Sequence, residues 1–255
     1  MDWLIPDHSA QRTSRPVHDG RGGAASPLHD YVHPALVFSG RAAPVGHAPA
    51  CTARAPQRAV QILEELLAPI TGERARSLAG ALIKRFGSLS RVVSAPLEQL
   101  NEVCGEQQTG PIIHAARVMI EAAYREQVVG TQVDSSDPAL GRYLRSQFGD
   151  FRQERMHAIF LDGQGRYIAD ENVGEGTHEA VTIHSRRLLS RAFELSAVNL
   201  IIAHNHPSGQ CSPSQTDVLA TQRLRQLCDA VDLVLGDHLI FSKYRCFSMM
   251  MRRYL

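Results

Sequence analysis

The run Val198-Asn199-Leu200-Ile201-Ile202-Ala203 constrains this chain more than any other stretch, because it ends abruptly in His204-Asn205-His206-Pro207. A short, nearly continuous apolar run of this kind reads as a buried strand. Ser185 opens an amphipathic helix before it, with Leu188, Leu189, Ala192, Phe193 and Leu195 on one face, and a second helix follows over about 213–231. Met156 to Leu161 reads as another buried strand, turned by Asp162-Gly163-Gln164-Gly165 into Arg166 to Ala169 as a hairpin. Leu233 to Leu235, His238 to Phe241 and Cys246 to Met250 read as closing strands. With a polar linker at 131–136 and a short helix over about 138–148, residues 131–255 are expected to form an α/β domain with mixed strand pairing.

Upstream, the pattern changes to helical spacing. Ala59, Val60, Ile62, Leu63, Leu66 and Leu67 share one helical stripe. Arg76 to Phe86 forms the next helix, closed by Gly87. Ser88 opens a short third helix, and Pro96 sits in the first turn of a fourth, capped by Ser94 or Ala95. Gly110-Pro111 begins a fifth helix that runs to about Arg125. Residues 58–130 are therefore expected to be a small all-helical module. Residues 1–57 hold seven of the 13 Pro and five of the 12 His without any period. Such a segment buries too little apolar surface to offset its ordering entropy, and a disordered N-terminal tail is expected. His8, His18, His29, His33 and His47 read there as solvated tail histidines.

Composition excludes several classes. The formal charge is +1, so no global field demands nucleic acid or a membrane surface. The five Cys are widely spaced and contain no C-x-x-C pair, which argues against a disulfide framework or a four-Cys zinc site. No apolar run spans a membrane, and the N-terminus lacks the form of a signal peptide. A cytoplasmic protein is expected.

The chemistry concentrates between residues 203 and 217. His204 and His206 are two apart and point the same way on an extended chain. Pro207 and Gly209 turn the chain, and the helix that follows returns Asp217 within its first turns. Two imidazoles and one carboxylate suit a catalytic zinc, which keeps an open fourth position. Ser214-x-x-Asp217 also fits a variant of the helix capping box, so Asp217 has a second, purely structural reading that the spacing leaves open.

The string His204-Asn205-His206-Pro207-Ser208-Gly209, followed by Ser214-x-x-Asp217, resembles the JAMM signature of the JAB/MPN metallopeptidases, and within them the RadC branch. Phe160-Leu161-Asp162, His184-Ser185-Arg186 and Asp237-His238-Leu239-Ile240 resemble the same branch. So do Lys84-Arg85-Phe86-Gly87-Ser88-Leu89 and Pro96-Leu97-Glu98-Gln99-Leu100 in the helical module. The resemblance implies a JAB/MPN fold, similar to that of cytidine deaminases, in which a mixed sheet is flanked by helices. It implies one zinc per chain on His204, His206 and Asp217. It implies Glu154 as general base, and Ser214 as the donor that supports a tetrahedral oxyanion. Asn205 and His238 then stand as neighbours that orient the ligands, with Asp237 beside them. Cys211 falls between the ligands, where the family usually has Pro. The implied reaction is hydrolysis of a peptide or isopeptide bond in a peptide or protein substrate.

The helical module resembles a helix-hairpin-helix element, whose G-x-G turn presents backbone N–H groups to a DNA phosphate. Here the turn reads Cys104-Gly105-Glu106-Gln107-Gln108-Thr109-Gly110-Pro111, with its glycines five apart and an acidic residue between them. Arg117 and Arg125 follow, interspersed with Glu121 and Glu126. A DNA-associated repair or recombination factor is the alternative reading. A phosphoesterase or nuclease is a third, and it would need further carboxylates for a second metal.

Overall fold

In the computed structural model the apolar run becomes the central strand of a five-stranded sheet. Residues 36–38, 54–105, 108–149, 153–175, 181–243 and 245–253 are described. The described part before the sheet comprises β1 (Leu36–Phe38), α1 (Arg54–Thr71), α2 (Ala75–Phe86), α3 (Leu89–Val93), α4 (Leu97–Cys104) and α5 (Thr109–Glu126). Next come α6 (Pro138–Gln147), β2 (Arg155–Leu161), β3 (Tyr167–Glu175), β4 (Val181–Ile183) and α7 (Ser185–Glu194). The chain continues through β5 (Asn199–Asn205), α8 (Gln215–Asp229), β6 (Val234–Phe241) and β7 (Cys246–Ser248). The sheet order is β3-β2-β5-β6-β7, and β5–β6 is its parallel pair.

Both faces of β5 are buried, which is why its sequence is apolar without alternation. Leu200 and Ile202 join Met156, Ala158 and Phe160 in a core covered by α7 and α8. Ile201 and Ala203 join Ile159, Leu161, Leu239 and Phe241 in a core covered by α6. The helical module has a third core around Leu63, Leu67, Leu82, Leu100 and Ile113. Val128 and the side chain of Tyr124 belong to the α6 core, so the end of α5 packs against the sheet side rather than the helical module.

One irregularity in β6 matters for chemistry. Leu200 pairs with Leu235, but Ile201 pairs with Asp237, so Gly236 is an inserted residue. Side chains alternate along a strand, and one extra residue reverses the faces beyond it. Leu235 faces the α8 core, yet Leu239 and Phe241 face the α6 core, and His238 is moved to the α8 side.

Gly87 closes α2 with φ 85°, and its N–H donates to the Ile83 carbonyl, as the sequence indicates. Gly110 lies inside α5, where a Cβ would come 2.1 Å from Asn101 Oδ1, so glycine is required for α4 and α5 to approach.

Several expectations are corrected. Leu36–Phe38, inside the segment assigned to the tail, pairs antiparallel with β4, and Leu36 is buried in the α8 core. Burying one such side chain contributes about 2 kcal/mol toward the ordering cost of these residues. Helix α1 begins at Arg54, before the assigned boundary. The remainder of 1–53, with its five histidines and Cys51, lies outside the described residues, as do Glu106 and Gln107 of the hairpin turn. Pro96, not Ser94 or Ala95, is the cap of α4. His184, not Ser185, precedes the first turn of α7. The two segments at 233–241 are one bulged strand. Strand β4 has no signal in the sequence, because three residues are too few for a period to register.

Candidate metal centre

His204 is the sixth residue of β5 and follows Leu200 and Ile202 on the α8 side by alternation. His206 lies just past the strand, and its N–H donates 2.8 Å to the Phe241 carbonyl of β6, which keeps it extended. The two Nε2 atoms are 2.7 Å apart. Asp217, Thr221, Leu224 and Cys228 form the buried stripe of α8, at helical spacing. That stripe carries Asp217 to 3.6 Å from His204 Nε2 and 3.4 Å from His206 Nε2. All three residues are buried, and one donor atom from each lies within 4.8 Å of the others. Among the described residues this is the single group of three or more such side chains that could hold a metal.

The donor set fits a small divalent cation. Tetrahedral ligands at zinc distances are about 3.3 Å from one another. The observed 2.7, 3.4 and 3.6 Å bracket that value, so a slight parting of the two rings admits an ion.

The ring protons are also arranged for it. His206 Nδ1 lies 3.0 Å from the Gln210 carbonyl, which can only accept, so Nδ1 carries the proton and Nε2 a lone pair. Behind His204 runs a chain. His204 Nδ1 is 2.7 Å from His238 Nε2, and His238 Nδ1 is 2.6 Å from Thr221 Oγ1. Thr221 in turn donates 2.6 Å to the Asp217 carbonyl. With that single hydroxyl proton committed, His238 donates from Nδ1 and accepts at Nε2. His204 then donates from Nδ1 and has its Nε2 free for a cation.

Electrostatics agree. Burial pushes His204 well below the ordinary histidine range, helped by His238 and His206 and opposed by Asp217. Burial likewise lowers His238 to about 4. For Asp217, burial favours the protonated acid, but His206, His204 and the Ser214 donors outweigh it and hold the carboxyl well below its ordinary value. A neutral His204 and an ionised Asp217 are forms that bind metal.

Ser214 caps α8 in a reciprocal box with Asp217. Its N–H donates 2.7 Å and its hydroxyl 2.8 Å to Asp217 Oδ2. The hydroxyl's one proton is thus directed at a ligand, and a role toward an oxyanion requires it to turn.

Glu154 is fully buried and immediately precedes β2. Met156 pairs with His204, so alternation puts Glu154 on the same face of the sheet as the ligands. Of the other acidic residues along the sheet, Glu171 on β3 is hydrogen-bonded to Arg191 of α7.

Asn205 does not touch the imidazoles. Its amide accepts from the Arg155 N–H and donates to the Gln153 carbonyl, both at 2.8 Å. Asp237 also serves elsewhere, taking the His238 and Met250 N–H groups on Oδ1 and the Ser248 hydroxyl on Oδ2. Cys211 points away from the ligands. Its thiol donates 3.0 Å to the Ile240 carbonyl, and burial raises its pKa.

Sequence reasoning missed a polar cluster on the opposite face. The Tyr143 hydroxyl lies 2.9 Å from both Asp170 oxygens, Tyr167 also donates to Asp170, and Arg125 Nε is 3.2 Å from the Tyr167 hydroxyl. Arg125, one of the two arginines that follow the hairpin turn, has its partners Tyr167 and Asp170 in the sheet domain. Arg117 pairs at 3.0 Å with Glu121.

No helix among the described residues is long and apolar enough to cross a membrane. Residues 134–254 match the model of the RadC-like JAB domain. A UPF0758 protein of Ruegeria pomeroyi is 37% identical over 181 residues, covering 70% of this chain and 80% of the relative. A UPF0758 protein of Rhodobacter capsulatus is 36% identical over 176 residues, covering 68% of this chain and 81% of the relative.

Proposed function

The chain belongs to the RadC family of JAB-domain proteins, and on that premise we propose that it is a zinc-dependent hydrolase of peptide or isopeptide bonds. The observation that carries the reading is the buried convergence of His204, His206 and Asp217, with both imidazole Nδ1 atoms committed to hydrogen bonds that turn Nε2 inward. A zinc ion there supplies a Lewis acid that makes water nucleophilic near pH 7.

The chain's own residues supply the rest. Glu154 accepts the proton from the attacking water and returns it to the leaving amine. Ser214 turns its hydroxyl proton from Asp217 to the developing oxyanion. Asp217 Oδ2 still receives the Ser214 N–H, so the turn costs the ligand one hydrogen bond of two. Thr221 and His238 keep His204 in its ligating tautomer throughout.

The test uses the zinc-loaded full chain against a quenched-fluorescent peptide library and a matching set of lysine isopeptides. Cleavage is expected with one zinc per chain. Glu154→Gln is expected to retain the metal and lose about 10²–10⁴-fold in rate. Undiminished cleavage by that variant, or no cleavage of either set by the loaded parent, overturns the reading.

A further inference from the structure

Strands β2 and β5 pair up to Met156↔His204. The next rung is not made by backbone alone. The next backbone pair, Arg155 with Asn205, is absent from the β2–β5 register, and the Arg155 N–H goes to the Asn205 side chain instead. The groups flanking Glu154 nevertheless have partners, and one side chain provides both. Asn205 Oδ1 accepts from the Arg155 N–H and Asn205 Nδ2 donates to the Gln153 carbonyl, each at 2.8 Å. A carboxamide has the same donor and acceptor pair as a peptide unit, and here it stands in for the missing rung. The partners also fix which way the amide faces, since an N–H needs the oxygen and a carbonyl needs the nitrogen. Asn205 is fully buried, so its own amide has no water as a substitute partner.

We propose that Asn205 is a positioning residue: by pinning the backbone on both sides of Glu154, it sets where the Glu154 carboxylate lies relative to the His204, His206 and Asp217 group. The inference rests on Glu154 working at that group. It explains why a polar amide occupies a buried place between the two histidines although it touches neither ring. Aspartate there would keep the acceptor but lose the donor and bury a charge. Alanine would remove the side-chain partner of both flanking backbone groups.

Cobalt(II) loaded into the full chain has a visible absorption band that reports on the ion's surroundings without requiring a substrate. The parent, Glu154→Gln, Asn205→Ala and the double variant are compared at equal occupancy. Asn205→Ala is expected to bind one equivalent, to reproduce the band shift of Glu154→Gln, and to add nothing in the double variant. Hydrogen exchange at the Arg155 amide is expected to accelerate about tenfold or more in Asn205→Ala, but not in Glu154→Gln. A parent-like band in Asn205→Ala, or a double variant whose shift is the sum of the two, overturns the positioning role. A parent-like band in Glu154→Gln overturns instead the placement of Glu154 at the ion, so the two failures appear in different samples. Should Asn205→Ala not fold, Asn205→Thr, which retains one of the two bonds, is held to the same criteria.

Discussion

Replacing Thr221 with valine tests whether the hydrogen bonds behind His204 serve the cation or only the fold. Valine has nearly the same shape, so the change removes a hydroxyl and little else. That hydroxyl sits 2.6 Å from both His238 Nδ1 and the Asp217 carbonyl. With metal bound, His204 must present a bare Nε2, which requires His238 to accept at Nε2 and hold its proton on Nδ1. In Thr221→Val that buried Nδ1–H has lost its acceptor, a penalty of about 1–3 kcal/mol. Without metal, His238 can move its proton to Nε2 and donate to His204, so most of the penalty is avoided. The difference falls on metal affinity, which is expected to drop about 10–100-fold, the range seen when partners of ligating histidines are removed. Zinc titration of the metal-stripped chain against a competing chelator at pH 7 gives the affinity, and urea denaturation of the same stripped protein gives the stability. An affinity within about threefold of the parent, alongside a loss of more than about 1 kcal/mol in the stripped protein, would refute the reasoning. The chain of hydrogen bonds would then be structural.

His204→Ala and Asp217→Ala are each expected to abolish stoichiometric zinc, whereas Cys211→Ala keeps it, because the Cys211 thiol faces the Ile240 carbonyl; metal analysis of the purified variants decides. Acid should destabilise the metal-stripped protein before its carboxylates titrate. The unfolded chain takes up a proton on histidine near pH 6.5, while folded His238 resists until about 4, so stability complete above pH 6.5 declines as pH falls, by about 3 kcal/mol at pH 4. His204 acts in the same direction. Urea midpoints that stay level between pH 7 and 4 would contradict this. Asp170→Ala removes the acceptor of two buried tyrosine hydroxyls and should cost about 3 kcal/mol in denaturation, with zinc affinity unchanged because the cluster lies across the sheet.

How much of this was legible in the sequence depends on the distance over which each signal acts. The central strand, the helices around it and the Gly87 cap rest on contiguous patterns, and they stand where the sequence puts them. Features set by pairing were not legible. The inserted Gly236 joins what reads as two strands and moves His238 to the ligand side, yet nothing local marks it as a bulge. Strand β1 takes its structure from β4 and the core under α8, so a segment with no period of its own is ordered at Leu36–Phe38. Nothing near Arg125 in the sequence points to its partner Tyr167, 42 positions away.

The same reasoning separates the parts of the site. His204, His206 and Asp217 fall within one strand–turn–helix, so their spacing alone suggests convergence. Glu154 comes to their face of the sheet through strand pairing across 50 positions, with the Asn205 side chain bonded to the backbone on either side of it, and no local pattern distinguishes it from other acidic residues. The two readings of Asp217, cap or ligand, are also geometrically compatible. A carboxylate has two oxygens and about four lone-pair positions. Ser214 occupies Oδ2 from the side of the helix start, while both oxygens remain within 3.6 Å of imidazole nitrogens. The box that starts α8 therefore fixes the ligand's rotamer before any ion arrives, at no cost beyond what the helix already requires. A ligand held in place by its own helix cap loses less freedom on binding metal than one on a loop, and this makes S-x-x-D an economical way to deliver a carboxylate to a strand end.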